Sequence, residues 1–360
     1  MLNSTHVYRL QYNIFIVNFC ELFMLKRILF VIPFIILSCE NTKPVAQGGD
    51  NEIVVVCSKN DKPQINLILS NILTDTLFTP QAELYYKLIW VEPERFNDVK
   101  NYVNVIVAGI GRSLSNNGSK LIKNILSDDQ YSSSMENDNH LIFSKDIFAR
   151  DQNFLIINGP SFSKINTISI DQGPWLKKQF ERLFEKRQSE FLFEESTLQK
   201  ELEEDVYKKY GWGIKIPWGY SVIRDSAEQQ IFWIGRDLPF RWLAVQWEDG
   251  LLFSDSLSVA SYANLFPVKF FKNIRYTDYK FKVEPSTFNN YGSWKISGLW
   301  ESIEEAQGGA FISHLFYDEK SDRTYFVHSM IFHPGRDKFL LLKQVDIVAK
   351  TFYTSDKITK

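Results

Sequence analysis

The sequence predicts an α+β fold with mixed or mainly antiparallel sheets and packed helices. Three observations carry that prediction. Short apolar, β-branched runs recur between turn residues, as half-buried and central strands require. Longer stretches place apolar residues three and four apart, which gives a helix one greasy face. In the second half, successive strands are separated only by short turns, which favours antiparallel pairing.

From the N-terminal side, residues 52–57 form a β-branched strand, and Asp61 and Pro63 start a helix with Ile65, Ile68, Leu69, Ile72 and Leu73 on one face. Residues 83–91 and 102–108 read as strands, the second apolar throughout and therefore central. A short helix spans 119–126, and strands occupy 141–144 and 153–158. Gly173-Pro174 opens a helical stretch reaching Tyr210. It is either one rod of about 54 Å at 1.5 Å per residue, or two helices broken near 191–197. Short strands then occupy 214–217, 230–234 and 241–247, with a helix over 255–266. Strands at 279–283, 294–300, 310–317 and 324–332 precede a last helix over 335–351. Both halves end on strand, charged turn, strand and helix (141–184 and 310–352), which makes two related α+β halves an alternative to coincidence.

Residues 24–39 read MLKRILFVIPFIILSC. Lys26 and Arg27 precede an apolar run of about ten residues, too short for the roughly 20 needed to span a bilayer. A small residue, Ser38, and Cys39 come next, the layout of a secretory signal. Ile36-Leu37-Ser38-Cys39 resembles the lipobox of bacterial lipoproteins. That resemblance implies cleavage between Ser38 and Cys39 and palmitate-type acyl chains on Cys39, each buried CH2 contributing about 0.8 kcal/mol of membrane attachment. A single longer anchor over 13–38 would place Lys26 and Arg27 within the bilayer at high cost. The expected organisation is an over-long start at 1–23, a signal peptide at 24–38 and a lipidated tether at 39–51. An N-terminal half at 52–210, a Trp-rich C-terminal half at 211–353 and a tail at 354–360 complete it.

Subtracting residues 1–38 from 360 leaves 322, carrying 38 basic and 42 acidic side chains. Nucleic acid is excluded as a partner, because phosphate binding needs a basic surplus. An apolar share of 44% suits a globular core. With Cys20 and Cys39 set aside, Cys57 stands alone in an apolar strand, so no internal disulfide is expected. The polar tether of about a dozen residues reaches at most ~40 Å and keeps the domain near the bilayer.

Pro80-Gln81-Ala82-Glu83, the Gly211 to Pro217 segment, Phe232-Trp233-Ile234, and Gly298-Leu299-Trp300 with the later Gly308-Gly309-Ala310-Phe311-Ile312-Ser313-His314 resemble a Bacteroidota lipoprotein family, that of domain of unknown function 4837. The resemblance runs over roughly 51–353, with Ala310 where proline is expected. It implies an α+β order and lipidation in the cell envelope, with no established activity.

Few residues offer chemistry. If the hairpin turn after His314 centres on Ser321, His314 and His328 oppose one another on one face, with Cβ atoms about 5 Å apart. Together with Glu301 or Glu304 they would then form a zinc site. A one-residue shift separates them, and hydrogen-bonded histidines beside a sheet are the plainer reading. No metal or other cofactor is therefore expected. Ser313 and His314 are strand neighbours on opposite faces and make no triad. Gly109-Ile110-Gly111 lacks the third glycine of a dinucleotide loop and reads as a tight turn. Gly308-Gly309 offers backbone amides to an anion or, more plainly, a turn or bulge. Seven tryptophans between Trp212 and Trp300 suit core packing first, sugar or peptide stacking second. No catalytic constellation emerges. The expected role is a membrane-tethered envelope module, placed at the outer membrane since Glu40 comes after the cysteine. Such a module binds a protein, peptide or glycan through a surface around Trp300, Gly308, Gly309 and His314. A metal-assisted hydrolase is the alternative.

Overall fold

In the computed structural model, residues 43–73, 75–78 and 82–354 are described. Ser38, Cys39, the segment expected to be a signal peptide and Pro80-Gln81 lie outside them. Ala46–Lys360 forms a compact unit of its own.

Its first sheet is built from β1 (Glu52–Val56), β4 (Lys87–Val91), β5 (Asn104–Ile110), β6 (Leu141–Lys145) and β7 (Asn153–Gly159). A two-stranded flap, β2 (Thr76–Leu77) with β3 (Glu83–Leu84), precedes β4. The order is β4-β1-β5-β7-β6, parallel except for β6, which is antiparallel to β7. Helix α1 (Lys62–Ser70) and the first part of α5 (Phe162–Leu192) cover one face, burying Ile65, Ile68, Leu69, Leu176 and Phe180 against Val55, Ile106 and Leu155. The short α2 (Phe96–Val99), with α3 (Asn117–Ile125) and α4 (Asp128–Glu136), lies along the other, where Phe96, Val99 and Ile122 meet Val54, Val105 and Ile156. Burial on both faces is why β5 reads as an unbroken apolar run.

Three expectations change here. The 83–91 strand is two strands, split at Tyr85-Tyr86. Helix α4, which apolar spacing does not reveal, is polar on its surface but closed at its start by a capping box of Ser127 and Gln130. Gly173-Pro174 does not open a helix; both sit inside the 31-residue α5. A Cβ on Gly173 would stand 2.5 Å from the Asn71 carbonyl oxygen, so glycine there lets α1 and α5 approach. Of the two arrangements open for the stretch reaching Tyr210, the broken one holds: α5 ends at Leu192 and α6 (Lys200–Tyr210) is a separate helix.

The second sheet is antiparallel, with β9 (Ser221–Ser226), β10 (Ile231–Arg236), β11 (Phe240–Asp249), β12 (Ile274–Tyr276), β13 (Lys282–Phe288), β14 (Tyr291–Ser302), β15 (Gly308–Asp318) and β16 (Arg323–Phe332). The order is β12-β14-β15-β16-β11-β10-β9, and β13 pairs with β14 beside β12. Helix α7 (Ser256–Phe270) covers one face, packing Val259, Ala263 and Phe266 on Phe311, Phe326 and Met330. Helices α6 and α8 (Phe339–Ala349) cover the other, with Val206, Leu342, Val345 and Val348 against Leu243, Val245, Ile312 and Val327. The expected strand over 214–217 is absent as a regular element; Trp212–Gly213 (β8) pairs with β17 (Tyr353–Thr354), and Pro217 makes a single antiparallel bridge to Leu198.

The hairpin-then-helix order β6-β7-α5 recurs as β15-β16-α8. The likeness stops there, because β7 is parallel to its next neighbour β5 whereas β16 is antiparallel to β11. The two sheets are joined by a buried polar chain. Asp50 accepts from Arg187 (2.6 Å) and Gln188 (2.5 Å), Gln188 accepts from Gln344 (2.8 Å), and Gln344 accepts from Arg241 (2.7 Å). Glu83 of the flap accepts from the backbone amides of Lys338 (2.5 Å) and Phe339 (3.2 Å), closing the start of α8 in place of a local cap. It also pairs with the Lys338 ammonium at 3.0 Å.

Candidate functional site

The β15-β16 hairpin decides where the histidines go. Asp318 pairs with Arg323 across a four-residue turn, and Asp322 takes a left-handed φ of 50°. Opposed positions therefore sum to 641, one less than a turn centred on Ser321 would give. Ser313 faces His328, and His314 faces Val327. The two histidines lie on opposite faces of the sheet and do not share a metal site, and the described residues hold no cluster of three His, Cys, Asp or Glu groups suited to a metal. The half-residue difference in turn centre is the whole cause, because side chains alternate with period two.

Each histidine sits in its own buried network. On the α7 face, His328 Nδ1 lies 2.8 Å from Ser313 Oγ and 3.3 Å from the Tyr276 hydroxyl, under the rings of Phe266, Phe311 and Phe326. Burial without a compensating charge drops the His328 imidazole to about 3, so it stays neutral. On the α8 face, His314 Nε2 lies 2.8 Å from Asp346 Oδ1 and its ring stacks on Phe288 at 4.4 Å. Burial opposes the Asp346 charge, but the His314 hydrogen bond and the His314, Lys350 and Lys343 charges override it and hold the carboxyl far below its usual range. Ser313 and His328 are a serine–imidazole pair that sequence reasoning missed, since its only signal is the hairpin register. Ser313, His314 and His328 are each at most 3% exposed, so neither network meets a substrate in this structure.

Trp300, Gly308 and Gly309 form a different feature. The Trp300 indole crosses β15 above Gly309 and donates from Nε1 to the Ile331 carbonyl on β16 at 3.0 Å. A Cβ on Gly309 would stand 2.0 Å from that oxygen and 2.8 Å from the indole nitrogen. Glycine is thus required by the tryptophan. Phe311, two residues on, stacks on Tyr276 at 4.0 Å. The Gly298 to His314 motif is therefore chiefly a packing device that locks β14, β15 and β16 to helices α7 and α8.

One end of this device is open. A cleft of about 550 Å3 is bounded by Leu299, Trp300, Gly308, Gly309, Phe332 and Pro334, with Glu301, Glu305 and Lys338 at its rim and Thr277 in its wall. The Thr277 hydroxyl is shielded and has no hydrogen-bond partner in the protein. Trp300, 3% exposed, is a wall of this cleft and not a free stacking platform; among the seven tryptophans only Trp218 is widely exposed.

The other candidate sites resolve plainly. Parallel order reverses between β1 and β5, where doubly wound sheets receive phosphates. Here Asp61 fills that place, accepting from Asn116 Nδ2 (2.7 Å) and the Ile110 amide (3.3 Å), while Asn116 caps α3. Gly109-Ile110-Gly111 is accordingly a turn onto an occupied crevice. The Cys57 thiol is buried and pushed up to about 12, first by burial and then by Asp61 and Glu92, which makes it unreactive. No helix among the described residues is long and apolar enough to cross a membrane.

Two family models match the chain. Residues 46–192 match the one described as Domain of unknown function (DUF8532), and residues 269–351 match Domain of unknown function (DUF4837). The resemblance to domain of unknown function 4837 holds over 269–351, which contains Gly298 to His314; Pro80 to Glu83 falls in the other match, and Gly211 to Pro217 and Phe232 to Ile234 fall in neither. No curated protein matches the chain in sequence. Among solved structures, the Saccharomyces cerevisiae Ran-binding protein Mog1p is similar at 11% identity, covering 40% of this chain and 90% of that one, with a TM-score of 0.30. LpqN, titled as involved in cell envelope biogenesis of Mycobacterium tuberculosis, is similar at 10% identity over 40% and 83%, with a TM-score of 0.26. A Bacteroides thetaiotaomicron protein is similar at 11% identity over 41% and 46%, with a TM-score of 0.25. So distant a likeness carries no argument about this chain. The motif from Gly298 to His314 lies in the stretch 269–351, which matches the family model described as Domain of unknown function (DUF4837).

Proposed function

We propose that this chain is a bacterial envelope lipoprotein, cut before Cys39 and anchored through acyl chains on that cysteine, whose folded unit binds a partner rather than turning over a substrate. The outer membrane is its proposed location, in keeping with Glu40 after the cysteine. The observation that carries the binding reading is a contrast. The groups equipped for acid–base chemistry, Ser313 with His328 and His314 with Asp346, are sealed in two separate cores. The open feature beside them is a rigid apolar cleft whose walls, Trp300 and Gly309, are fixed by a hydrogen bond and a glycine contact. A preformed, mostly apolar cleft with a few polar groups suits recognition of an envelope protein, peptide or glycan.

Two measurements test this. In cells fed an alkyne-tagged fatty acid, the wild-type chain takes up label and sediments with membranes, and Cys39→Ala does neither; equal labelling of both would remove the anchor. A photo-crosslinking residue at Gln307, on the cleft wall, yields a defined adduct in cells, whereas one at exposed Lys208 does not. Turnover of an envelope polymer by the purified protein, abolished by one substitution, would overturn the binding reading.

A further inference from the structure

A second cleft, separate from the Trp300 cleft and independent of the reading given to it, lies where the two sheets meet. It encloses about 480 Å3 between α5, the β2-β3 flap, β13, β14 and α8. Its lining holds five lysines, Lys177, Lys280, Lys282, Lys295 and Lys343, against three acids, Asp75, Glu181 and Glu284. Tertiary structure alone assembles this set, since its members come from both halves of the chain.

The charges do not cancel locally. Lys177 is taken up by Asp75 at 2.5 Å, with Glu181 at 3.9 Å. Among the described residues, no carboxylate lies within 4.0 Å of the ammonium groups of Lys280, Lys282, Lys295 or Lys343. Lys295 and Lys343 are half-buried, so water screens them poorly. Lys343 shows the strain of this arrangement: burial, with Lys350 and Lys295 adding repulsion, holds its ammonium below the usual lysine value despite Asp346 and Glu185. Aromatic rings complete the lining. Phe78 sits under Lys280 at 4.2 Å, and Tyr85 under Lys343 at 5.6 Å, with Phe311 in the lining too.

We propose that this lysine cleft binds a phosphate-bearing anion of more than one negative charge. The charge count favours that class over a simple carboxylate. Four lysines without close acid partners present more positive charge than one carboxylate neutralises, and lysine ammonium groups act as point charges suited to the several oxygens of a phosphate. Four ammonium groups without close acid partners surround a volume in the usual range for a small-molecule site. An anion there relieves the repulsion among Lys295, Lys343 and Lys350. The phosphate belongs either to a soluble molecule or to a lipid headgroup at the bilayer surface.

The test uses the full-length chain in neutral detergent and pyrophosphate as probe, with binding read by calorimetry at constant ionic strength. Saturable binding is expected, weakened about tenfold or more by Lys343→Gln and by Lys295→Gln, since bonds to charged groups are worth roughly 1.5–3 kcal/mol each. Exposed Lys282→Gln, which does not threaten folding, weakens it several-fold, and Lys208→Gln on α6 leaves it unchanged. A second arm measures pyrophosphate competition with phosphatidylcholine vesicles containing or lacking phosphatidylglycerol. Competition only by the anionic vesicles assigns the site to a headgroup, and no competition assigns it to a soluble phosphate. Absence of saturable pyrophosphate binding together with indifference to the anionic lipid overturns the proposal. So does binding that all three cleft variants leave intact. Neither failure touches the Cys39 anchor or the Gln307 crosslink, so the two readings fail separately.

Discussion

Replacing Gly309 by alanine puts the packing argument at its sharpest. The added methyl would meet the Ile331 carbonyl oxygen at 2.0 Å and the Trp300 indole nitrogen at 2.8 Å. Ordinary carbon–oxygen contact begins about 1 Å or more beyond the first distance, so β15 and β16 must separate or the indole must leave. Overpacking of a tight core costs about 1–3 kcal/mol. Losing the 3.0 Å indole–carbonyl bond strands a buried acceptor and adds about 1–3 kcal/mol. Together these give a destabilisation of about 2–6 kcal/mol, a large share of the roughly 5–15 kcal/mol that holds a typical domain together. Urea unfolding monitored by tryptophan fluorescence reads the effect as a lowered midpoint, with a red-shifted native emission as Trp300 loosens. Gly292→Ala is the internal control: it lies in β14, its Cβ would meet nothing within 4 Å, and it should stay within about 0.5 kcal/mol of wild type. A Gly309→Ala midpoint equal to that of Gly292→Ala would refute the claim that this glycine exists to admit the tryptophan.

Two further substitutions probe the buried polar groups. His328 titrates near 3 in the fold against 6.5 unfolded, so between those values the unfolded chain binds the extra proton and stability falls as pH falls, by up to about 1.4 kcal/mol per pH unit. His328→Gln, less stable at pH 7, should close that gap as pH drops toward 4; stability curves that run parallel across the window would show that His328 does not remain neutral. Glu83→Gln keeps an oxygen for the Lys338 and Phe339 amides but removes the charge opposite Lys338, where both side chains are 11% exposed. Leaving a buried ammonium unpaired costs about 3 kcal/mol, and hydrogen exchange in the first turn of α8 should accelerate; unchanged exchange would mean the flap does not cap that helix.

Much of this protein is legible in the chain before it folds. The apolar runs mark β1, β5, β7 and the long strands β14 to β16, because burial of alternate or successive side chains leaves a local pattern. The three-to-four spacing marks α1, α7 and α8 for the same reason. The basic, apolar and small-residue order ending at Cys39, on which the proposed lipid anchor rests, is a pattern of the string itself and needs no fold to be seen. The Gly298 to His314 motif is visible too, though as a surface and not as the packing lock it proves to be. Relations between distant residues needed the folded chain. The histidines part because the hairpin turn holds four residues, and a shift of one position reverses every face. The exposed strand β9 and the polar helix α4 carry little apolar periodicity, so their neighbours define them more than their sequences do. The lysine cleft draws on residues from 75 to 343. No local spacing brings those ammonium groups together; the packing of α5 and α8 between the two sheets does.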